Sequence, residues 1–217
     1  MVVEKTGLEI TKKHMLKLAK QKFETLPEIM QGIKYSDSNK ATVLDSFRLI
    51  VVNFENETFQ DELINVNNNQ SMDVAAYPYI ESEIPNESKV PYRLQLNHDT
   101  VKEMESVLKC IRQLKIDHVV IKMEPYNNNT KCFLEAKPNY DYALDLNINL
   151  EIGLTMMTGC KDIVVNTELL LDAIQFVKDT KADTIMNFNK AHTTLLFNGE
   201  MPNKFTYDYV VSPGILR

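Results

Sequence analysis

Basic side chains at helical spacing are the residues of this sequence whose pattern points to chemistry. Over residues 11–23, Lys13, Lys17 and Lys20 recur at intervals of four and three, which places them on one helix face opposite an apolar stripe. Residues 99–114 repeat the pattern. The cationic candidates of the two segments are Lys12, Lys13, Lys17, Lys20, Lys102, Lys109 and Arg112. Such faces neutralise phosphates without reading bases, so we predict sequence-independent contact with a nucleic-acid backbone. One amphipathic helix with an ordinary solvated face would explain either segment alone.

Residues that catalyse reactions or bind metals show no comparable pattern. The four histidines stand singly, and the three cysteines lack the spacing of a zinc site. The glycine motifs of nucleotide-binding loops, the nucleophile elbow and the zinc-protease motif are absent from the sequence. We therefore predict no catalytic residue, no metal site and no cofactor. A metal-dependent nuclease that uses exposed carboxylate pairs such as Asp141 and Asp145 remains as an alternative.

Composition restricts the class of protein. The chain has 217 residues, of which 44% are hydrophobic and 25% charged, and this excludes disordered and low-complexity proteins. A formal net charge of -6 argues against a surface that is basic throughout, although it permits a local basic stripe. No apolar stretch has the roughly 20 residues of a membrane helix, and the first residues are too polar for a signal peptide. We expect a cytoplasmic protein, in a bacterial cell or a phage-infected host, without membrane contact.

The elements that must position the basic residues form a weak internal repeat. Helical periodicity covers residues 11–23, 99–114 and 167–178, and a short strand precedes each helix, at 8–10, 93–96 and 162–165. The predicted N-terminal caps are Thr11, Asp99, and Asn166 or Thr167. Strand patterns cover residues 32–35, 41–54, 119–123, 131–137, 143–150, 184–188, 193–197 and 207–211, with a predicted turn at Asn198 and Gly199. Residues 59–64 are a candidate for a short helical turn of a degenerate fourth unit. A strand, a helix and two or three strands thus follow one another three times. Hairpin-connected strands after a helix predict an α+β fold with antiparallel sheets and the helices on one face.

Two regions of the sequence resemble the DNA polymerase sliding clamps, and most closely the bacterial beta clamp. Residues 29–35 and 42–49 resemble that family's "L-x-G-V-x-F … A-T-D-x-H-R-L". Residues 163–177 and 209–217 resemble its "F-N-x-x-Y-L-L-D-A-L … Y-V-V-M-P-M-R-L", in the same order. The resemblance implies two clamp-type domains of the processivity fold. We place the N-terminal domain, which is degenerate, at 1–84 and the C-terminal domain at 85–217. A segment rich in proline and acidic residues, 77–91, would link them.

The resemblance also implies a function and partners. Sliding clamps are rings of six domains that encircle double-stranded DNA and tether a polymerase, with the helices lining the hole and the sheets outside. A two-domain chain would close as a head-to-tail homotrimer. DNA polymerase and clamp loader would be its protein partners. The alternative is a clamp-like interaction module that regulates replication proteins without encircling DNA. Two complete domains would contain four helices, and the sequence predicts only three, which favours this alternative.

A peptide pocket is the last feature that the resemblance implies. In bacterial clamps an apolar pocket between two domains binds short peptides of partner proteins, and an apolar anchor in such a pocket dominates the binding energy. The matching positions in this sequence are Leu44, Arg48, Leu49, Val210, Val211, Pro213 and Ile215. Without the resemblance, Arg48 and Leu49 would be interpreted as part of a plain sheet strand.

Overall fold

The computed structural model describes residues 6–20, 27–78, 80, 83–86, 89–136, 148–156, 161–188 and 194–212. These ranges contain three α-helices, namely α1 (Gly7–Ala19), α2 (His98–Gln113) and α3 (Thr167–Thr180). They also contain thirteen strands. The strands are β1 (Gly32–Ser36), β2 (Lys40–Leu44), β3 (Arg48–Phe54), β4 (Glu62–Asn65), β5 (Ser71–Met72), β6 (Tyr92–Leu96), β7 (His118–Tyr126), β8 (Asn129–Ala136), β9 (Ile148–Thr155), β10 (Ile163–Asn166), β11 (Asp183–Phe188), β12 (Leu195–Met201) and β13 (Phe205–Val211).

The strands form two sheets in which every pairing is antiparallel. The larger sheet has nine strands in the order β5-β4-β1-β2-β3-β13-β12-β11-β6, and the smaller has four in the order β10-β7-β8-β9. The larger sheet joins distant parts of the chain, because β3 pairs with β13 from Arg48 opposite Val211 to Phe54 opposite Phe205. The predicted α+β class with antiparallel sheets and short helices is confirmed.

The predicted repeat is visible as three units. The first comprises α1 and β1–β3, the second β6, α2 and β7–β9, and the third β10, α3 and β11–β13. Between β3 and β6 the described residues contain no α-helix. The part of the chain before β6 therefore supplies one unit, whereas the part after it supplies two. The boundary at 84/85 lies between β5 and β6 and stays a prediction.

Asparagine and threonine side chains cap the helices. Thr6 accepts the amide hydrogen of Glu9, whose carboxylate accepts that of Thr6, and this capping box starts α1. The sequence prediction of Thr11 as the cap, after a strand at residues 8–10, is wrong because the helix begins earlier. Thr11 lies inside α1, where its hydroxyl donates to the carbonyl oxygen of Gly7 at 3.1 Å. Asn97, and not the predicted Asp99, caps α2.

Asn166, one of the two predicted caps, caps α3. One strand prediction and one turn prediction are wrong. The pattern over residues 41–54 covers two strands, which a turn after Asp45 separates, and the predicted turn at Asn198 and Gly199 lies inside β12. The region 59–64 does not form a helical turn, since β4 begins at Glu62.

The core lies between the sheets and the helices. We call α1, α2 and α3 together the helix layer, and the sheet face that points away from them the outer face. Phe176 of α3 stands edge-on to two rings of β13, at centroid distances of 4.8 Å from Tyr207 and 5.3 Å from Tyr209. All three side chains are buried, so α3 packs closely against the larger sheet.

Candidate DNA interface and peptide pocket

The first helical segment has four exposed basic candidates, three in α1 and Lys20 at its C-terminal cap, and carboxylates of α3 hold two of them. Lys13 Nζ lies 2.6 Å from Asp179 Oδ2, and Lys17 Nζ lies 2.5 Å from Asp172 Oδ1. The two that make no ion pair with a described residue are Lys12 and Lys20. The ammonium groups of Lys13 and Lys17 thus help to hold α1 against α3, whereas those of Lys12 and Lys20 are available to a ligand.

A shared carboxylate joins α2 to α3. Lys109 Nζ lies 2.7 Å from one oxygen of Glu105, and Lys178 Nζ lies 2.7 Å from the other. Burial opposes ionisation of Glu105, yet the hydrogen bonds from the two lysines outweigh it and lower the pKa of this carboxyl. The same bond raises the pKa of Lys178. Glu105 is therefore ionised at neutral pH and neutralises two cations of the helix layer.

The other two cationic candidates of α2 also have acidic partners. Arg112 Nη1 lies 3.6 Å from Glu168 Oε2, and Lys102 Nζ lies 3.2 Å from Asp99 Oδ1. Basic residues number three on α1, three on α2 and one on α3, against one, three and three acidic residues. The positive charge that the sequence predicted for the helices is thus present on α1 alone, and the helix layer as a whole is balanced.

His14 lies in a groove of about 320 Å³ between α1, α2 and α3. Its Nε2 lies 3.0 Å from Asp179 Oδ2, and its ring stands edge-on to Phe176 at 5.2 Å. Burial lowers the pKa of His14, against the opposing attraction of Asp179. Burial raises the pKa of Asp179, but its bonds with Lys13 and His14 outweigh this and lower it. The imidazole is therefore neutral at pH 7 and donates to an ionised carboxylate.

Arg48, which the resemblance assigns to the peptide pocket, lies in a buried ion-pair network between β3 and α3. Its side chain is 1% exposed. Nε and Nη2 donate to Asp45 Oδ2 at 3.0 and 2.5 Å, and Nη1 donates to Asp172 Oδ2 at 2.5 Å. Asp45 Oδ1 accepts the amide hydrogens of Phe47 and Arg48, both at 2.8 Å, so the turn before β3 is fixed by the same carboxylate. This arginine connects the first unit to the third.

Alternation along the strands divides the candidate pocket residues between two faces. Val211 is fully buried in the core on the side of the helix layer, as is Arg48. Leu49 and Val210 point to the outer face, where they form the outer cluster. The members of the outer cluster are Leu44, Leu49, Val51, Ile80, Ile84, Val90, Leu196 and Val210. Pro213 and Ile215 lie outside the described residues.

The outer cluster lies where β3 meets β13, with the connecting segment before β6 packed on it. Ile80, Ile84 and Val90 come from that segment, and Ile80 also lines a neighbouring open groove of about 820 Å³. Ser212 donates its amide hydrogen to the carbonyl oxygen of Phe47 at 2.8 Å and extends the strand contact by one residue. Leu49 and Val210 are only 5% and 8% exposed, because the connecting segment covers them.

Sequence reasoning missed the acidic partners of the basic residues and the apolar side chains of the connecting segment. Asp172 and Asp179 lie on α3, which has the fewest basic residues of the three helices. This excess of acidic residues was the signal in the sequence that could have identified them as partners of the lysines. Ile80 and Ile84 are isolated apolar residues among proline and acidic residues, and their contact with the sheet depends on the β3–β13 pairing, which no local pattern reports.

The described ranges contain no group of three or more His, Cys, Asp or Glu side chains that could hold a metal ion. None of the helices in those ranges has the length and apolar character that crossing a bilayer requires.

Comparison with known proteins identifies the fold. No family model and no curated protein matches the sequence. The beta clamp of Helicobacter pylori matches 100% of this chain and 68% of its own, with a TM-score of 0.69 and 11% identity. The DNA polymerase III beta chain of Streptococcus pneumoniae matches 97% of this chain and 63% of its own, at 0.71 and 13%. The beta subunit of Thermotoga maritima matches 98% and 65%, at 0.69 and 15%. The chain has the sliding-clamp fold.

Proposed function

We propose that this protein is a DNA polymerase processivity factor, a non-enzymatic clamp that encircles double-stranded DNA as a homo-oligomer and tethers a polymerase. One observation carries the proposal. This chain superposes over 97–100% of its length on three bacterial sliding clamps, two of which are beta subunits of DNA polymerase III. A shared fold alone permits other functions, and the helix layer and outer cluster supply the two surfaces that this function requires. Its place of action would be the cytoplasm.

The helix layer is the proposed DNA-facing surface. The residues proposed to face DNA are Lys12, Lys13, Lys17, Lys20, Lys102, Lys109 and Arg112. Lys12 and Lys20 make no ion pair with a described residue, so each can neutralise a phosphate without first leaving a carboxylate. The other five candidates are already paired with carboxylates, so a phosphate would compete with those carboxylates and each contact with DNA would be weak. A surface of weak, sequence-independent contacts holds a duplex without fixing its position along the axis, which suits a sliding protein.

The outer cluster is the proposed binding site for a short peptide of the polymerase or of the clamp loader. Leu44, Leu49 and Val210 would contact an apolar anchor that takes the place of Ile80 and Ile84, which cover the sheet in the structure described here. Arg48 and Val211 would support them from the opposite face of β3 and β13, and Pro213 and Ile215 would contribute through the C-terminal segment. The closed network of Arg48 keeps β3 and α3 in fixed relation, and so keeps the floor of the pocket rigid.

The ring is proposed to contain three copies, as the sequence predicts. This chain spans 68% of the length of the H. pylori clamp, so three copies would supply about as much structure as two bacterial clamp chains. Of the four units that two complete domains would have, the described residues contain three, and β4 and β5 follow the first of them.

A replication extract of the source organism, depleted of the protein, tests the function. Wild-type protein added back should lengthen the products that a polymerase makes in one binding event on a primed single-stranded circle. The double variant Lys12→Glu/Lys20→Glu should fail to lengthen these products. The control variant Lys89→Glu/Lys161→Glu changes the charge equally at exposed sites outside the helix layer and should lengthen them as wild-type protein does. Products that stay short with wild-type protein would contradict the proposal.

The second candidate function is a clamp-like interaction module that does not encircle DNA. The balanced charge of the helix layer and the single unit before β6 favour it. In that case wild-type protein and the Lys12→Glu/Lys20→Glu variant would act equally in the extract, and a substitution in the outer cluster such as Leu49→Asp would abolish the effect of both.

A further inference from the structure

A basic side chain of the helix layer that moves to a DNA phosphate leaves its carboxylate partner behind. Most of these carboxylates would stay compensated. Asp172 would keep Arg48, and Glu105 would keep one of its two lysines. The side chains of Asp99 and Glu168 are 88% and 57% exposed, so water would solvate their charge.

Asp179 of α3 differs from these carboxylates, because one of its oxygens is shared by a lysine and a histidine. Lys13 Nζ lies 2.6 Å from Asp179 Oδ2, and His14 Nε2 lies 3.0 Å from the same atom. The side chains of Asp179 and His14 are only 31% and 10% exposed. When Lys13 moves to a phosphate, the base that remains beside this half-buried carboxylate is a neutral imidazole. An imidazole can supply the missing positive charge by taking up a proton.

The charged groups around His14 come from all three helices. The residues that line its groove are Lys13, His14 and Lys17 of α1, Glu105 of α2, and Gln175 and Asp179 of α3. Glu105 is bound by Lys109 and Lys178, and Lys17 is bound by Asp172. Burial is the main cause that lowers the pKa of His14, Asp179 opposes it, and the charges of Lys13 and Lys17 add to the lowering. Departure of Lys13 removes a repelling charge and leaves Asp179 to His14, so the pKa of the imidazole must rise.

We propose that His14 is a positioning residue of the DNA interface, which becomes the cationic partner of Asp179 when Lys13 leaves that carboxylate for a phosphate. Nε2 already carries the hydrogen that is donated to Asp179, so the proton from solvent binds Nδ1. The contact between α1 and α3 is thereby kept while Lys13 is engaged with DNA. Binding of DNA then takes up protons, and the affinity for DNA rises as the pH falls from about 8 to about 6. The inference rests on the proposed function, since it requires that the helix layer contacts DNA.

A titration of the free protein tests the exchange of partners without DNA. Lys13→Gln removes the competing cation, so the pKa of His14, followed by NMR of its imidazole, should rise by at least about half a unit. Lys12→Gln is the matched control, because this neighbouring lysine of α1 makes no ion pair with a described residue. It should shift the pKa of His14 by less than half as much. The same pKa of His14 in the Lys13→Gln variant and in wild-type protein would overturn the proposal.

Proton uptake on binding of a DNA duplex is the second measurement. Titration calorimetry at pH 7 in buffers of different ionisation enthalpy counts the protons, and wild-type protein should take up a positive number, at most about one a chain. Lys13→Gln and His14→Gln should each lose most of this uptake. His118→Gln, which changes a histidine of β7 outside the helix layer, should keep it. If the field of the duplex alone protonated His14, the Lys13→Gln variant would take up as many protons as wild-type protein, and the proposal would be wrong.

The two measurements separate this inference from the proposed function. A protein that binds no duplex DNA at any pH would contradict the proposed function, and the titration of the free protein would still decide whether His14 can replace Lys13 at Asp179. A protein that binds DNA and lengthens polymerase products without taking up protons would contradict this inference alone.

Discussion

Replacing Arg48 by methionine should destabilise the protein strongly, because the change leaves two buried carboxylates without their common cation. Arg48 makes three hydrogen bonds to Asp45 and Asp172, and all three side chains are at most 6% exposed. Lys17 still partners Asp172 after the change, but Asp45 keeps only backbone donors. Removing one member of a buried ion pair costs about 3–5 kcal/mol. In a chain of this length about 4 kcal/mol lowers Tm by roughly 8–16 °C.

Thermal and urea unfolding, followed by circular dichroism and by tyrosine fluorescence at several protein concentrations, measure this loss. Lys102→Met is the matched control, since it removes an exposed ion pair with Asp99 and should change the free energy of unfolding by less than about 0.5 kcal/mol. Adding Asp45→Asn and Asp172→Asn to Arg48→Met should recover most of the stability. An Arg48→Met protein as stable as the Lys102→Met control would refute the structural role assigned to the network.

The remaining predictions concern packing, pH and salt. Gly199→Ala should cost about 1–3 kcal/mol of unfolding free energy in urea titration, because a Cβ there would lie 2.2 Å from the buried ring of Tyr207; a neutral result would contradict the close approach of β12 and β13. His14 has a pKa below its ordinary 6.5 in the folded state, so its contribution is present above pH 6.5 and is lost as pH falls through the folded pKa; His14→Gln should flatten the fall in Tm over that range, and an unchanged fall would assign it to other groups. Lys12→Gln/Lys20→Gln should reduce the slope of log K for duplex DNA against log salt by about two, as measured by fluorescence anisotropy; an unchanged slope would exclude both ammonium groups from phosphate contact.

The sequence predicts the type and order of the elements well where periodicity is strong. The helix pattern of residues 99–114 and the observed α2, His98–Gln113, differ by one residue at each end, since Val101, Met104 and Leu108 form a clear apolar stripe. The start of α1 was predicted wrongly because Leu8 and Ile10 alternate like strand residues, whereas the capping box of Thr6 and Glu9 decides the local structure. Local chemistry at a helix end outweighed a short alternation.

The candidate site was less predictable, because it depends on which elements meet. Lysines on one helix face can be recognised from spacing, but their neutralisation by Asp172 and Asp179 requires α3 to lie beside α1. The same holds for Arg48. Its position in a strand was predictable, whereas its burial depends on Asp172, 124 residues further along the chain. Long-range contacts of this kind leave no signal in local patterns.

Electron microscopy of the purified protein at micromolar concentration tests most directly whether it is a ring that can surround DNA. The account predicts closed particles with a central hole wide enough for a duplex, the helix layers facing the hole and the sheets forming the outer wall. Particles without a hole, or chains that remain single under these conditions, would contradict it.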